Sequence, residues 1–326
     1  MARPLDDQEL LRLADVLAAG EWHSGQKLAQ TAGLTRAGLA KRISRLREWG
    51  LDVESRFGLG YRLALPLERL DPDRIRAAAP LDLKVNVQPL LDSTNRVLMD
   101  ADPNDDPQAL LAEFQSAGRG RRGRDWRSPF GANLYLSIAW TFPMWPQQLP
   151  ALTLAVGVVC ARVLHAAGLD GLRLKWPNDL FVDGRKLGGI LIEQRGESTG
   201  TCRVIVGVGI NVAMRDAQAA GIDQPWIAMD EVLDRAGRPR ASRNEIAGAL
   251  LHGLHECLGR YPVSGFDAYR DEWLALDALR GLEVHTTGDR PLRGTGRGID
   301  EFGALLIETP QGLQRVHAGD VSLRPA

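Results

Sequence analysis

Seven consecutive residues, Gly118 to Arg124, read GRGRRGR, and they constrain the fold more than any other stretch of the chain. Four arginines among three glycines cannot enter a hydrophobic core, where each guanidinium would need a charged partner. The segment has to be a loop. It is preceded by AEFQ (112–115) and followed, after Pro129 and Gly131, by NLYLSIAW (133–140). Both flanks have the aliphatic and aromatic make-up of strands, so the loop joins two strands. Glycine lets backbone N–H groups come close to a ligand, and arginine forks match carboxylate and phosphate oxygens. The loop therefore points to an anionic ligand; a basic loop with no ligand is the plainer alternative on composition alone. Gly118, Gly120 and Gly123 also spell GxGxxG. A dinucleotide site requires a helix directly after that motif and an acid ~20 residues further on, whereas a strand follows here.

Two further segments carry the same character. LKWPNDL (174–180) and GRKLGGI (184–190) set lysines and an Asn-Asp pair beside glycine and proline at strand ends. Taken with SPFGANLYLS, DSTN upstream (Asp92 to Asn95) and GVGIN downstream (Gly207 to Asn211), the order and spacing resemble the biotin protein ligases. The resemblance runs across the whole chain. It includes a helix-turn-helix at the front, the mark of the bifunctional form that is also the biotin operon repressor.

The N-terminal section, 1–65, reads as a winged helix-turn-helix. Leu10, Leu13, Ala14 and Leu17 share one helical face and Gly20 ends that helix; Ser24 is placed to cap a second helix through Ala32, and Gly33 makes the turn. Thr35 then caps a third, Arg36 to Trp49, with Leu39, Ile43 and Leu46 inward and Arg36, Lys41, Arg42, Arg45 and Arg47 outside. VESRFGLGYRL follows as a hairpin wing. Net charge over the chain is -1, yet between Trp22 and Arg47 there are six Lys or Arg and no Asp or Glu. Such a local footprint suits phosphate contacts. Arg36, Lys41, Arg42, Arg45 and Arg56 are the expected DNA-binding residues; a packing module with a solvated basic face is the alternative. Gly38 is out of place in that helix, where it costs ~1 kcal/mol relative to Ala.

Residues 66–80, polar, alanine-rich and bounded by proline, read as a linker. From 81 to 278, strands at VNVQPLL, AEFQ, NLYLSIAW, RLKW, ILIEQ and CRVIVGVGIN predict a mixed sheet, with a buried helix from Ala151 to Ala167 and a helix starting at Ser93 or Thr94. ILIEQ and CRVIVGV look like a hairpin. From 279 to 326, short strands between turn residues predict a small β-barrel, similar to the SH3-like C-terminal domain of the resembled family. The fold class expected is multidomain α+β. Cys160, Cys202 and Cys257 are odd in number and far apart, which argues against a disulfide framework or a zinc site and for buried small hydrophobes. The apolar run from Leu149 to Ala161 falls short of the ~20 residues of a membrane span, and Arg12 and Asp15 interrupt the only N-terminal leucine-rich stretch. A cytosolic protein is expected.

The resemblance implies a chemistry. A carboxylate does not acylate an amine at neutral pH without a leaving group; ATP supplies one by forming biotinyl-5'-AMP and pyrophosphate, and a carrier lysine then displaces AMP. Neither step needs an enzyme nucleophile, so the protein's task is positioning and charge neutralisation. By resemblance, Ser93, Thr94, Asn95, Gln115, Arg119, Gly120, Arg121, Lys186 and Gly189 hold biotin. Arg121, Arg122, Trp126, Asn178, Asn211 and Trp226 belong to the ATP and adenylate site, and Arg121, Lys186, Asp179 and Lys175 are the catalytic set. Asp179 is either a ligand of Mg2+ or a group that orients the amine. Helix capping alone would explain Ser93 and Thr94, and a structural turn would explain Asp179. The implied partners are the biotin carboxyl carrier protein of acetyl-CoA carboxylase, operator DNA of the biotin operon and, with adenylate bound, a second copy of the chain. The exposed edge of Ile190 to Arg195 is the expected pairing strand. A ligand-sensing regulator without ligase activity, and a ligase whose helix-turn-helix does not bind DNA, are the competing readings.

Overall fold

The computed structural model describes residues 6–196, 200–287, 291–317 and 322–325. The N-terminal unit is a three-helix winged motif: α1 Asp7–Leu17, α2 Gly25–Thr31 and α3 Arg36–Glu48, followed by the hairpin β1 Val53–Arg56 and β2 Gly60–Leu63. Its core is the predicted one, with Leu10, Leu17, Leu39, Ile43 and Leu46 each at most 2% exposed. Thr35 caps α3, accepting from Gly38 N at 3.0 Å. Ser24 stands at the N-cap of α2 but makes no side-chain capping bond.

One expected DNA contact is corrected. Arg42 is not outside: it is 3% exposed, and its Nε and Nη2 donate to Glu9 Oε2 on α1 at 3.0 and 2.7 Å. Arg36, Lys41, Arg45, Arg47 and the wing's Arg56 are exposed, and Arg47 also donates to Val53 O. The same contact accounts for Gly38. A Cβ there would stand 3.3 Å from Thr35 Oγ1 and 3.8 Å from Arg42 Nη1, which bonds Gly38 O, so glycine leaves space for both cap and arginine.

The stretch read as a linker is more than that. It carries α4 Pro72–Ala78, capped by Asp71, whose Ile75 is fully buried in the central core. The central unit adds β3 Lys84–Leu91, α5 Thr94–Asp100, β4 Gln108–Gln115, β5 Leu134–Phe142 and α6 Leu152–Ala166. It continues through β6 Arg173–Lys175, β7 Asp179–Val182, β8 Arg185–Arg195, β9 Cys202–Ile210, α7 Met229–Arg235, α8 Arg243–Ser264 and α9 Asp267–Leu276. The seven strands run in the order β3-β4-β5-β9-β8-β7-β6; only β3 and β4 are parallel, joined through α5 as a crossover requires. The central sheet is thus mixed, and β8 with β9 forms the predicted hairpin.

Helices α4, α6 and α8 cover one face of the sheet, while α5 packs on the other against Leu110, Ala139 and Ile205. The stretch Leu149–Ala166 has the length and apolar make-up of a membrane span, but 67% of it is buried in this core. Cys160, Cys202 and Cys257 are buried and free, and burial pushes the Cys160 thiol up to about 12.

The C-terminal unit is a five-stranded antiparallel sheet: β10 Glu283–Thr287, β11 Arg293–Ile299, β12 Leu305–Thr309, β13 Gly312–Val316 and β14 Ser322–Pro325, in the order β13-β12-β11-β10-β14. Among the described residues β13 and β14 do not pair with each other. Trp176 Nε1 donates to Gly303 O at 2.9 Å and ties this unit to the central one.

The winged unit is joined to the central one at the end of its third helix. Trp49 stacks on Phe130 with ring centroids 5.6 Å apart and planes at 17°. Phe130 N donates to Trp49 O at 2.7 Å, and Gln218 Nε2 donates to Gly50 O at 2.7 Å. Gly50 has φ +90°, and a Cβ there would lie 2.6 Å from Pro129 Cβ. Arg69 completes the joint, reaching Asp15 of α1 at 2.6 Å and the buried Glu113 of β4 at 3.0 Å.

Candidate functional site

A cavity of about 560 Å³ opens where the N-terminus of α5, the arginine loop, the 175–179 turn and the glycine-bearing strands β8 and β9 converge. That volume lies within the range of small-molecule sites. Ser93, Thr94 and Asn95, at most 4% exposed, line one end. Ser93 and Thr94 do not use their side chains as caps. Thr94 donates from N and Oγ1 to Gln115 Oε1 at 2.9 and 3.2 Å, and Gln115 Nε2 donates to Ser128 Oγ at 3.0 Å. Ser137 Oγ lies 2.7 Å from Thr94 Oγ1 and 2.6 Å from Asn95 Oδ1. Small donors and acceptors held in a buried chain form a pocket for a polar ligand group that both donates and accepts.

The glycines of β9 make room for this arrangement. A Cβ on Gly207 would stand 2.2 Å from Asn95 Oδ1, and one on Gly209 would stand 2.7 Å from the Trp126 indole. Trp126 is held by the loop itself: its N–H donates to Gly118 O at 2.9 Å, and Gly118 has no space for a side chain beside Trp126 O and Ser128 Oγ. Trp126 Nε1 is buried without a protein partner.

The other end of the cavity is cationic. Arg121, Arg122 and Arg124 line it with Lys175 and Lys186. Lys186 Nζ lies 2.8 Å from Asp179 Oδ1 and 5.5 Å from the centroid of Trp126. Arg121 donates to Asn178 Oδ1 at 3.4 Å; burial, then the neighbouring Arg122, lowers its pKa, while Asp179 opposes the shift. Lys175 Nζ stands over the Phe181 ring at 4.8 Å. Asn178 Nδ2 donates to Ile190 O at 2.8 Å, fixing the 175–179 turn to β8. Arg122 adopts a left-handed φ of 59°, followed by Gly123 at 70°, and this reversal carries the loop back over the cavity.

Most residues expected in the site line this cavity, and two do not. Asn211 is 4% exposed and donates to Lys186 O and Ile227 O at 3.4 and 3.3 Å, so it fastens the strand that carries Lys186. Trp226 is half-buried and bridges Lys186 through its backbone; its neighbours Asp223, Gln224 and Pro225 line the cavity instead. Among the described residues no group of three or more His, Cys, Asp or Glu gathers to hold a metal ion, so Asp179 stands without a carboxylate cluster. The motifs had not pointed to Glu193, Ser128 and Ser137. A serine in the middle of the largely apolar β5, and an acid two residues after the cavity-lining Leu191 on β8, are the signals that could have found two of them.

Comparison with known proteins covers all three units. The profile of the Biotin/lipoate A/B protein ligase family matches residues 87–211, that of the biotin protein ligase C-terminal domain matches 283–324, and a helix-turn-helix domain profile matches 9–62. The bifunctional ligase/repressor BirA of Salmonella typhimurium is 42% identical over 97% of this chain and 98% of its own length. The protein of the same name from Escherichia coli is 41% identical over 98% of this chain and 99% of its own. Among solved structures, the biotin protein ligase of Aquifex aeolicus in complex with biotin and ATP superposes with a TM-score of 0.64 at 27% identity, over 74% of this chain and 99% of that one.

Proposed function

The chain belongs to the biotin protein ligase family in its bifunctional ligase and repressor form, and on that premise we propose that its cavity forms biotinyl-5'-AMP from biotin and ATP and passes the biotinyl group to a lysine of biotin carboxyl carrier protein. The observation that carries this reading is the two-ended cavity. A neutral hydrogen-bonding end at Ser93, Thr94, Asn95 and Gln115 adjoins a cationic end at Arg121, Arg122 and Lys186.

In the first step the biotin carboxylate attacks the α-phosphorus and pyrophosphate leaves. Two anions must meet, and Lys186 with Arg121 offsets their repulsion from a cavity wall that is largely removed from water. Arg121, as a guanidinium, keeps its charge throughout the physiological range. In the second step the amine attacks the acyl carbon, AMP leaves with the electron pair of the C–O bond, and the amine sheds a proton. Asp179 is the carboxylate placed to receive it once Lys186 turns to the ligand. Magnesium bound with nucleotide phosphates needs only one or two protein carboxylates; Asp179 is the residue that would hold it, and the ion would supply charge neutralisation as pyrophosphate departs.

The repressor role is carried by Arg36, Lys41 and Arg45 on α3 and Arg56 on the wing, all exposed and suited to phosphate and base contacts. Residues 191–195 of β8 pair with β9 on one side and, among the described residues, with no strand on the other. That edge is where a second adenylate-loaded copy and the carrier domain compete in the cytoplasm. The test is direct: incubate the protein with labelled biotin, ATP, magnesium and a carrier domain. Label on the carrier lysine is expected, and none with ATP present would overturn the reading. Sedimentation with and without biotin plus ATP tests the dimer; an unchanged oligomeric state would remove it.

A further inference from the structure

Behind two residues that line this cavity, Asn95 and Arg119, stands an acid that the chemistry does not call for. Glu193 stands on β8, with its side chain 23% exposed and its two oxygens divided between two elements. Oε2 accepts from Asn95 Nδ2 of α5 at 2.9 Å, while Oε1 lies 3.0 Å from Arg119 Nη1 of the arginine loop. The strand beneath is rigid, paired with β9 residue by residue from Gly188 to Arg195.

The amide of Asn95 has its orientation set from the opposite side. Its Oδ1 lies 2.6 Å from Ser137 Oγ and fills the space that a side chain on Gly207 would occupy. Its donor group is therefore turned to Glu193 and to Leu191 O, at 3.3 Å. A carboxylate accepts from both partners at once, whereas a glutamine can serve Asn95 but offers Arg119 no charge. Arg119 is thereby paired with an acid of the sheet.

We infer that Glu193 is a positioning residue of the adenylation site, which aims the Asn95 amide and latches the start of the arginine loop to β8. The first arginine of the loop thus fastens the loop. The ligand's identity in this inference rests on the ligase reading; the latch does not.

Two variants separate the two contacts. Glu193→Gln removes the charge facing Arg119, and Glu193→Ala removes both partners. The loop holds Arg119, Arg121, Arg122 and Arg124, so trypsin reports its opening in the ligand-free protein. Both variants are expected to be cut there about threefold faster than wild type, the scale of a partly exposed ion pair. In the ligase assay KM for biotin is expected to rise about threefold for Glu193→Gln and about tenfold for Glu193→Ala, in each case more than kcat falls. Equal cleavage rates in all three proteins would overturn the latch, and a loss confined to kcat would overturn the positioning of Asn95. A wild-type protein that makes no biotinyl adenylate would sink the ligase reading, and the cleavage comparison would still decide the latch.

Discussion

Lys186 and Asp179 approach to 2.8 Å with side chains 15% and 19% exposed, beside a strand pair whose glycines leave the cavity open above them. A cation so placed is expected to act on the ligand's charge more than on packing. Lys186→Ala is expected to lower the rate of pyrophosphate release at saturating biotin by ~100-fold or more, the scale of a lost transition-state donor. Cooperative melting should persist. A rate within about fivefold of wild type, roughly 1 kcal/mol of barrier, would remove Lys186 from this role. This residue was legible because it sits in a local motif, as do Ser93, Thr94, Gln115 and Arg121. Glu193 and Ser137 lie in quoted stretches too, ILIEQ and SPFGANLYLS, but their contacts were not legible there. Each acquires its meaning from partners that only folding brings near: Asn95 lies 98 residues from Glu193 and 42 from Ser137.

Element α3 shows what periodicity can and cannot separate. Leu39, Ile43 and Leu46 fell inward as their spacing required, but the adjacent Arg42 also turned in, because Glu9 on α1 supplies a carboxylate that no local pattern announces. Two arginines three residues apart should therefore behave differently. Arg42→Ala is expected to destabilise the winged unit by about 3 kcal/mol, since it breaks a largely buried ion pair. Arg45→Ala should leave stability within about 0.5 kcal/mol and reduce the salt dependence of DNA binding by about one counterion. Thermal melts and binding titrations at several salt concentrations check both; equal melting temperatures for the two variants would refute the distinction. Element α4 was hidden for a related reason. One buried isoleucine and an Asp71 cap form a short helix that holds only because α8 receives it: a Cβ on Gly248 would stand 2.6 Å from Ala78 Cβ.

At the scale of the whole molecule, the three units meet through few groups, and Asp277 is an acid whose pKa burial shifts. Asp277 follows α9, bridges Leu174 of β6 through its backbone and accepts from Leu279 N at 2.8 Å, where the chain leaves for the C-terminal sheet. Burial pushes its pKa up to about 6, with the bonds from Leu279 and Arg280 and the charge of Arg280 opposing. The folded state thus prefers the protonated acid. Below about pH 4 folded and unfolded forms are both protonated and nothing is lost; between about 4 and 6 the unfolded chain ionises first; above 6 the full cost stands, on the order of 3 kcal/mol. Asp277→Asn is expected to raise the melting temperature at pH 8 and leave it unchanged at pH 3.5, and equal shifts at both would refute the assignment. The order of units along the chain was readable from periodicity and turn residues, but the contacts between them were not, since Trp49, Phe130 and Asp277 look like ordinary core or turn residues until the units are packed. On the proposed function, the stacked Trp49 and Phe130 would make operator DNA an effector of the enzyme. The two loops that border the adenylate site each end on the terminus of the DNA-reading helix, one through Phe130 and one through Gln218. Whatever factor adenylate adds to DNA affinity, linkage returns to adenylate affinity when DNA is bound, so an occupied operator should tighten binding of the intermediate by the same factor, and slower release is the expected form of that gain. Trp49→Ala should shrink both effects together, and stopped-flow release of adenylate with and without operator would show whether they move as one.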